Sequence, residues 1–207
     1  MWGSAHEHRW AMIEPMPTLH LAQDETADQV LSNDSFALLV GMLLDQQFPM
    51  ERAFAGPAKI VERFGSIDPT EIAAAHPEKF ADLAAPPPAI HRYGRSMAGR
   101  IQQLAAAVRD DYSGDASTIW TTANSTKELL ARLKALPGFG DQKARIFAAL
   151  LAKQLGVQLD DGWRDTIGPY AEDGSFRSVA DVVDEDSLQQ VRDFKKAAKA
   201  KAKAAKA

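Results

Sequence analysis

The sequence predicts an all-α protein, and three features lead to that expectation. Alanine is abundant and runs of β-branched residues are scarce, which favours helix over strand. Apolar residues recur at helical spacing along most of the chain, and no convincing pair of strands is present. Proline and glycine stand where these periodic segments begin and end. A chain of 207 residues is long enough for one substantial core or for two small lobes that share a cleft.

The most apolar helix is predicted over residues 36–44, which are hydrophobic on every side. Such a helix belongs at the centre of a core. Asn33, Asp34 and Ser35 are all suitable N-caps for it. The segment Asp45-Gln-Gln-Phe-Pro49 follows directly, and Pro49 forces a break or a new helix start.

The rest of the chain divides into helical segments and two unlike ends. Further helices are expected over residues 50–64, 69–75, 77–83, 96–112, 125–136 and 141–155, and a last one from 184–187 into the tail. We therefore predict an irregular N-terminal segment (1–30), a helical domain (31–190, with a hairpin over 125–156) and a Lys/Ala-rich basic tail (191–207).

The hairpin is the most informative segment. Ser125-Thr-Lys-Glu128 has the pattern of a capping box, and Leu136-Pro-Gly-Phe-Gly140 separates the two helices. Glycines there let the chain approach a ligand closely, and the free amides at the start of the second helix suit a phosphate. Lys143 adds positive charge on the first turn. A plain αα-hairpin whose glycines only turn the chain is the alternative.

Composition excludes several classes of site. The chain has no cysteine, which excludes disulfides, Cys-ligated zinc and iron–sulfur clusters, and its five histidines lack metal-ligand spacing. No stretch approaches about 18 uninterrupted apolar residues, and the N-terminus lacks the apolar core of a signal peptide, so a cytoplasmic location is expected. The net charge is −4, but residues 195–207 contain six lysines and no acid. An acidic body with a basic tail suggests nucleic acid as a partner. We expect this tail to be disordered when free.

Taken in order, these segments resemble the helix–hairpin–helix (HhH-GPD) superfamily of DNA glycosylases. The family pattern is an apolar helix ending in a glutamine-bearing loop, a long helical stretch, the hairpin, and then an aspartate about twenty residues on. Residues 36–47, the hairpin, and Asp160 with Asp161 match that pattern. The resemblance implies a two-lobed helical fold that binds double-stranded damaged DNA across a cleft and flips the target nucleotide out of the duplex.

The resemblance also assigns residues. Gln47, or its neighbour Gln46, corresponds to the glutamine that enters the duplex, and Asp161 or Asp160 to the catalytic carboxylate. Water-exposed glutamines, and an aspartate that merely caps a helix near Trp163, are the alternatives. The DNA-binding residues implied are those of the glutamine loop and the hairpin: Gln46, Gln47, Gly138, Phe139, Gly140, Gln142 and Lys143.

Bifunctional members of the family form a Schiff base with a lysine two residues after the second hairpin glycine. That position is Gln142 here, and Lys143 stands about 100° further round the helix. We therefore predict a monofunctional, monomeric glycosylase of the nucleoid, with no lyase activity. No metal or iron–sulfur cofactor is implied, apart from a monovalent cation at the hairpin.

The sequence after Asp161 does not match the usual family helix. A catalytically inactive DNA-binding module is therefore one alternative. A nucleoid-type protein that binds through its basic tail is the other.

Overall fold

The computed structural model describes residues 18–205, and every regular element in that range is helical. Residues 168–170 and 179–181 form short 3-10 turns. The α-helices are α1 (Glu25–Asn33), α2 (Ser35–Leu44), α3 (Met50–Phe54), α4 (Gly56–Phe64), α5 (Pro69–Ala74), α6 (Pro77–Ala84), α7 (Gly94–Tyr112), α8 (Thr118–Thr121), α9 (Thr126–Ala135), α10 (Asp141–Gln154), α11 (Trp163–Ile167) and α12 (Glu185–Ala204). The predicted all-α class is confirmed. None of the helices described is long and apolar enough to cross a membrane.

Helix α2 lies at the centre of the core, as its sequence predicts. Its residues from Phe36 to Leu44 are all buried. The Asp34 carboxylate accepts a hydrogen bond from the Ala37 amide at 2.7 Å, so Asp34 is the N-cap among the three candidates. Helices α1, α3, α4 and α7 pack around it.

The helices form two groups that share this core. In the first group, α5 and α6 pack along the buried face of α7. In the second, α10 packs against α9, α11 and the turn at 179–181, and α12 packs on that same turn. The two groups meet at the C-terminal end of α2, where Leu43 contacts the hairpin between α9 and α10. The family resemblance implies two lobes, and in the described chain the two groups of helices share one hydrophobic core.

The C-terminal end of α10 is anchored to the chain that follows it. Lys153 Nζ lies 2.8 Å from Asp181 Oδ1, and the side chains are only 9% and 4% exposed. The Gln154 amide donates to backbone carbonyls of the 179–182 segment, including Ala180 O at 2.9 Å. These contacts hold the 179–182 segment against α10.

The prediction of an irregular segment up to about residue 30 is wrong from residue 25 onward, where α1 begins, whereas residues 18–24 contain no regular element. Leu19 and Leu21 are buried, and Asp24 caps α1. The helix buries only one side, so its sequence looks polar as a whole. Residues 1–17 of the predicted segment lie outside the described range.

The single helix predicted over residues 50–64 is two helices. The break lies at Ala55, and Pro57 occupies the first turn of α4. Proline lacks an amide hydrogen and its ring clashes with the carbonyl four residues earlier, so it starts a helix more readily than it continues one.

The disorder predicted for the basic tail is also wrong through residue 204, because α12 continues to Ala204. Asp184 and Ser187 form a capping box at its start, near the predicted position. The alanines between the lysines are strong helix formers, which explains the continuation.

At the start of α9, only half of the predicted capping box forms. Ser125 Oγ accepts the Glu128 amide at 3.2 Å. The Glu128 carboxylate instead accepts the Asn124 amide at 2.9 Å, one residue before the N-cap.

Candidate functional site

The hairpin glycines differ in what surrounds them. Gly138 has a φ of +82°, and a Cβ built on it would lie 2.3 Å from Leu43 Cδ1. Gly140 has a φ of −86°, and a Cβ there would meet no atom within 4 Å. Packing within the protein therefore requires glycine at 138 but not at 140.

The first turn of α10 has amides that no side chain caps, with Gly140 as the N-cap. Asp141 at this turn is held by Arg145 at 2.7 Å and by Lys134 at 3.5 Å. The hydrogen bond from Arg145 lowers the pKa of Asp141, so this carboxylate is ionised and its charge is locally balanced. Free amides at a helix N-terminus beside an open glycine suit a phosphate group.

The two glutamines of the loop after α2 behave differently. Gln46 is partly buried, and its side-chain amide donates to Leu43 O at 2.8 Å. Gln47 is exposed, and its φ of +53° lies in the left-handed region that non-glycine residues seldom adopt. Gln47 is thus the more exposed of the two, whereas the side chain of Gln46 is partly engaged within the protein.

A cavity of about 650 Å³ lies between this loop, the start of α10, the turn at 168–170 and α12. Its wall contains polar, cationic and apolar side chains together. The lining residues are Met42, Asp45, Gln46, Gln47, Phe48, Gln142, Lys143, Ile146, Pro169, Tyr170, Arg177, Phe194, Lys195 and Ala198.

Lys143 also lines this cavity, about 100° round the helix from Gln142. Its Nζ donates to Met42 O at 2.6 Å and to Leu43 O at 2.9 Å, at the end of α2. Burial lowers the pKa of Lys143 to about 8, against an opposing effect of the Asp45 charge. The long side chain of Lys143 therefore reaches over the cavity wall to the end of α2.

Gln142 lies beside Lys143 on the same wall. Its side-chain amide donates to the Tyr170 hydroxyl at 2.9 Å. This contact ties the start of α10 to the 3-10 turn at 168–170. The position equivalent to the family's Schiff-base lysine therefore carries a neutral, hydrogen-bonded amide.

Asp160 and Asp161 do not line the cavity. Asp160 Oδ2 accepts the Thr126 amide at 2.7 Å, at the start of α9. Helix α9 has ten residues and so spans about 15 Å between that point and the hairpin. Neither aspartate caps α11, whose N-cap is Gly162 without a side-chain hydrogen bond. The cap expected near Trp163 is therefore wrong; the Asp160 carboxylate instead accepts the amide of the first residue of α9, whose N-cap is Ser125.

The cavity wall also contains residues that were not predicted to belong to the site, although Lys195 was expected to contact nucleic acid as part of the basic tail. Asp45, Tyr170, Arg177, Phe194 and Lys195 all contribute to its wall. Arg177 lies over the Phe194 ring at 5.2 Å, and Lys195 Nζ lies 3.8 Å from Asp45 Oδ2. Asp45 is adjacent to the glutamine pair, and this adjacency was the one signal available. The others come from segments whose approach to α2 has no local signature.

A second, smaller cavity of about 130 Å³ adjoins Gln47 on the side of α7. Arg100 and Tyr93 line this cavity, and Tyr93 is half exposed. Arg95, two residues after Tyr93, does not line this cavity and is paired with Glu78 and Asp82.

Among residues 18–205, no group of three or more His, Asp or Glu side chains is placed to hold a metal ion. A monovalent cation at the hairpin would use backbone carbonyls, and of these Leu136 O already accepts the Phe139 amide at 3.1 Å. That cation remains a prediction.

The all-α fold, the hairpin with free amides and the adjoining cleft define a protein of the helix–hairpin–helix class. The sequence matches the family described as the HhH-GPD superfamily base excision DNA repair protein over residues 40–206, which is most of the chain. The chain therefore belongs to the HhH-GPD superfamily, whose repair domains bind DNA. Comparisons with curated proteins and with solved structures found no match.

Proposed function

We propose that this protein is a monofunctional DNA glycosylase that hydrolyses the N-glycosidic bond of a damaged or mispaired base. The observation that carries the proposal is the cavity of about 650 Å³ beside the hairpin. Its size falls in the range of small-molecule sites, and its wall mixes aromatic, amide and cationic groups. Such a cavity suits a nucleotide flipped out of the duplex.

Duplex DNA would be held on both sides of this cavity. The free amides of α10 and the open space at Gly140 would receive a backbone phosphate. Gln47, exposed on its left-handed turn, would fill the gap that the flipped nucleotide leaves. These contacts position a protein on DNA without reading its sequence, so base selection would depend on the cavity wall.

Two contacts support water rather than lysine as the nucleophile. Gln142 cannot form a Schiff base, and Lys143 Nζ is already engaged by two backbone carbonyls at the end of α2. The released product would be an intact abasic site. Borohydride should accordingly trap no covalent complex with abasic DNA, and efficient trapping through Lys143 would contradict the monofunctional assignment.

The test is a panel of duplexes that each carry one lesion: uracil, an alkylated purine, an oxidised purine, or adenine opposite oxidised guanine. After incubation, alkali converts abasic sites into strand breaks. We expect excision of one lesion under single-turnover conditions, by a monomer in solution. Excision of none would contradict the enzyme assignment.

A catalytically inactive DNA-binding module is the second candidate, and one observation favours it. Asp160 and Asp161 lie away from the cavity, with Asp160 engaged at α9. Tight duplex binding without excision of any lesion would select this function. The tail-based alternative is less favoured, because Phe194, Lys195 and Ala198 of α12 belong to the cavity wall.

A further inference from the structure

The glycosylase proposed above needs a carboxylate near the reacting sugar. Cleavage of the glycosidic bond builds positive charge on the deoxyribose, and a nearby carboxylate stabilises that charge. The sequence offers Asp160 and Asp161, but Asp160 is bonded to Thr126 at the far end of α9. If the cavity is the reaction site, another acidic residue must supply the negative charge.

Asp45 is the one acidic side chain among the residues that line the cavity in the described part of the chain. It follows α2 directly, and its amide donates to Gly41 O at 3.1 Å. The side chain is only 13% exposed. The end of α2 therefore places Asp45 at a sheltered point of the cavity wall, which is the position that charge stabilisation requires.

Two lysines lie near Asp45, but neither forms a close ion pair with its carboxylate. Lys195 Nζ lies 3.8 Å from Oδ2, at the outer limit of an ion pair. The charge of Asp45 also acts on Lys143, whose Nζ is occupied by the carbonyls of Met42 and Leu43. The Asp45 carboxylate thus keeps the capacity to accept hydrogen bonds from a ligand in the cavity.

We propose that Asp45, in place of Asp160 or Asp161, is the catalytic carboxylate of this cleft. This inference rests on the proposed glycosylase function. The C1′–N bond breaks with its electron pair going to the base, and the oxygen of a water molecule bonds to C1′. Asp45 accepts one proton from that water and later releases it, and the departing base nitrogen takes up a proton. The sum is hydrolysis, with one water consumed and Asp45 unchanged.

The first experiment measures a charge preference and needs no turnover. Two duplexes are compared by fluorescence anisotropy, one with a pyrrolidine abasic analogue whose ring nitrogen is cationic, and one with the neutral tetrahydrofuran analogue. We expect the wild-type protein to bind the cationic duplex about tenfold more tightly, because this analogue resembles the transition state. The Asp45→Asn variant should lose that preference and keep its affinity for the tetrahydrofuran duplex.

The matched control is Asp110→Asn, which alters an exposed aspartate paired with Arg109. It should keep the full preference. A wild-type protein without any preference overturns the proposal, and so does a preference that survives in Asp45→Asn. Loss of the preference in Asp161→Asn or Asp160→Asn alone would restore the assignment made from sequence.

The second experiment uses whichever lesion the panel identifies. Asp45→Asn should lower the single-turnover excision rate by about 100-fold or more, with circular dichroism unchanged. Excision that persists in Asp45→Asn overturns the role of Asp45 and leaves the glycosylase intact. Absence of excision by the wild-type protein overturns the glycosylase, while the pyrrolidine comparison still decides whether Asp45 faces the sugar position.

Discussion

The polar groups at the two ends of α10 differ in whether they are bonded within the protein. At the C-terminal end, Lys153 and Asp181 form a buried pair, and the side-chain amide of Gln154 donates to backbone carbonyls. At the N-terminal end, amides lack side-chain caps and Gly140 faces open space. The C-terminal end of α10 therefore stabilises the fold, and the N-terminal end is free to bind a ligand. Polar groups that are already bonded within the protein cannot also bind DNA.

The largest effect that tests this contrast is expected at the C-terminal end of α10, called the closed end here because its polar groups are bonded within the protein. Asp181→Ala leaves the Lys153 ammonium buried without its partner, and should lower the free energy of unfolding by about 3–5 kcal/mol. Urea denaturation measures it. Asp173→Ala is the control, since Asp173 and its partner Arg164 are both largely exposed, and it should cost less than about 1 kcal/mol. Equal losses would mean that the closed end is not special.

The next largest effect is the pH dependence of stability at the N-terminal, or open, end of α10. The folded protein holds the pKa of Lys143 at about 8, below its ordinary 10.5. Between those values the unfolded chain binds a proton that the folded chain lacks, so stability should rise with pH across this window. Each full pKa unit corresponds to about 1.4 kcal/mol.

Thermal denaturation of the wild type and of Lys143→Met measures this effect. The wild type should gain stability relative to the variant from pH 8 to 10.5, in the direction that the lowered pKa of Lys143 sets. Lys134→Met, at a lysine that is 46% exposed, serves as the control and should show no such trend. A flat difference for Lys143→Met would show that its amine is solvated as freely as an exposed one.

The smallest effects on stability should separate the hairpin glycines. Gly138→Ala meets Leu43 and a left-handed φ, so a cost of about 1–3 kcal/mol is expected. Gly140→Ala should cost less than about 1 kcal/mol, since its Cβ meets open space. It should nevertheless weaken duplex binding by roughly tenfold, comparable to one charge-assisted hydrogen bond.

Anisotropy titrations with an undamaged duplex measure this last effect. If Gly140→Ala binds as the wild type does, the phosphate does not approach the chain at Gly140, and the hairpin serves only as a turn.

Features with a local physical signature could be predicted from the sequence. The buried α2, the hairpin and the start of α12 each have a periodic apolar pattern, a glycine turn or a capping residue. The break before Pro57 also had such a signature, but the helical periodicity across it concealed the break.

The cleft could be predicted only in part. Gln46, Gln47, Gln142 and Lys143 were found through family spacing, and the structure brings these four together. Tyr170 and Phe194 reach the same wall only through tertiary packing, which spacing along the chain does not encode. The distance of Asp160 from the cavity had no signal either, because it depends on how the chain turns after α10.

The hydrogen bonds from Lys143 to the end of α2 affect how the molecule folds. These two hydrogen bonds join residues 101 and 100 positions apart in the chain. Helices form from neighbouring residues within microseconds, whereas contacts this remote must wait for a long loop to close. A collapsed intermediate with most of its helices formed would therefore lack the cleft. Recovery of the circular dichroism signal should precede recovery of DNA binding during refolding.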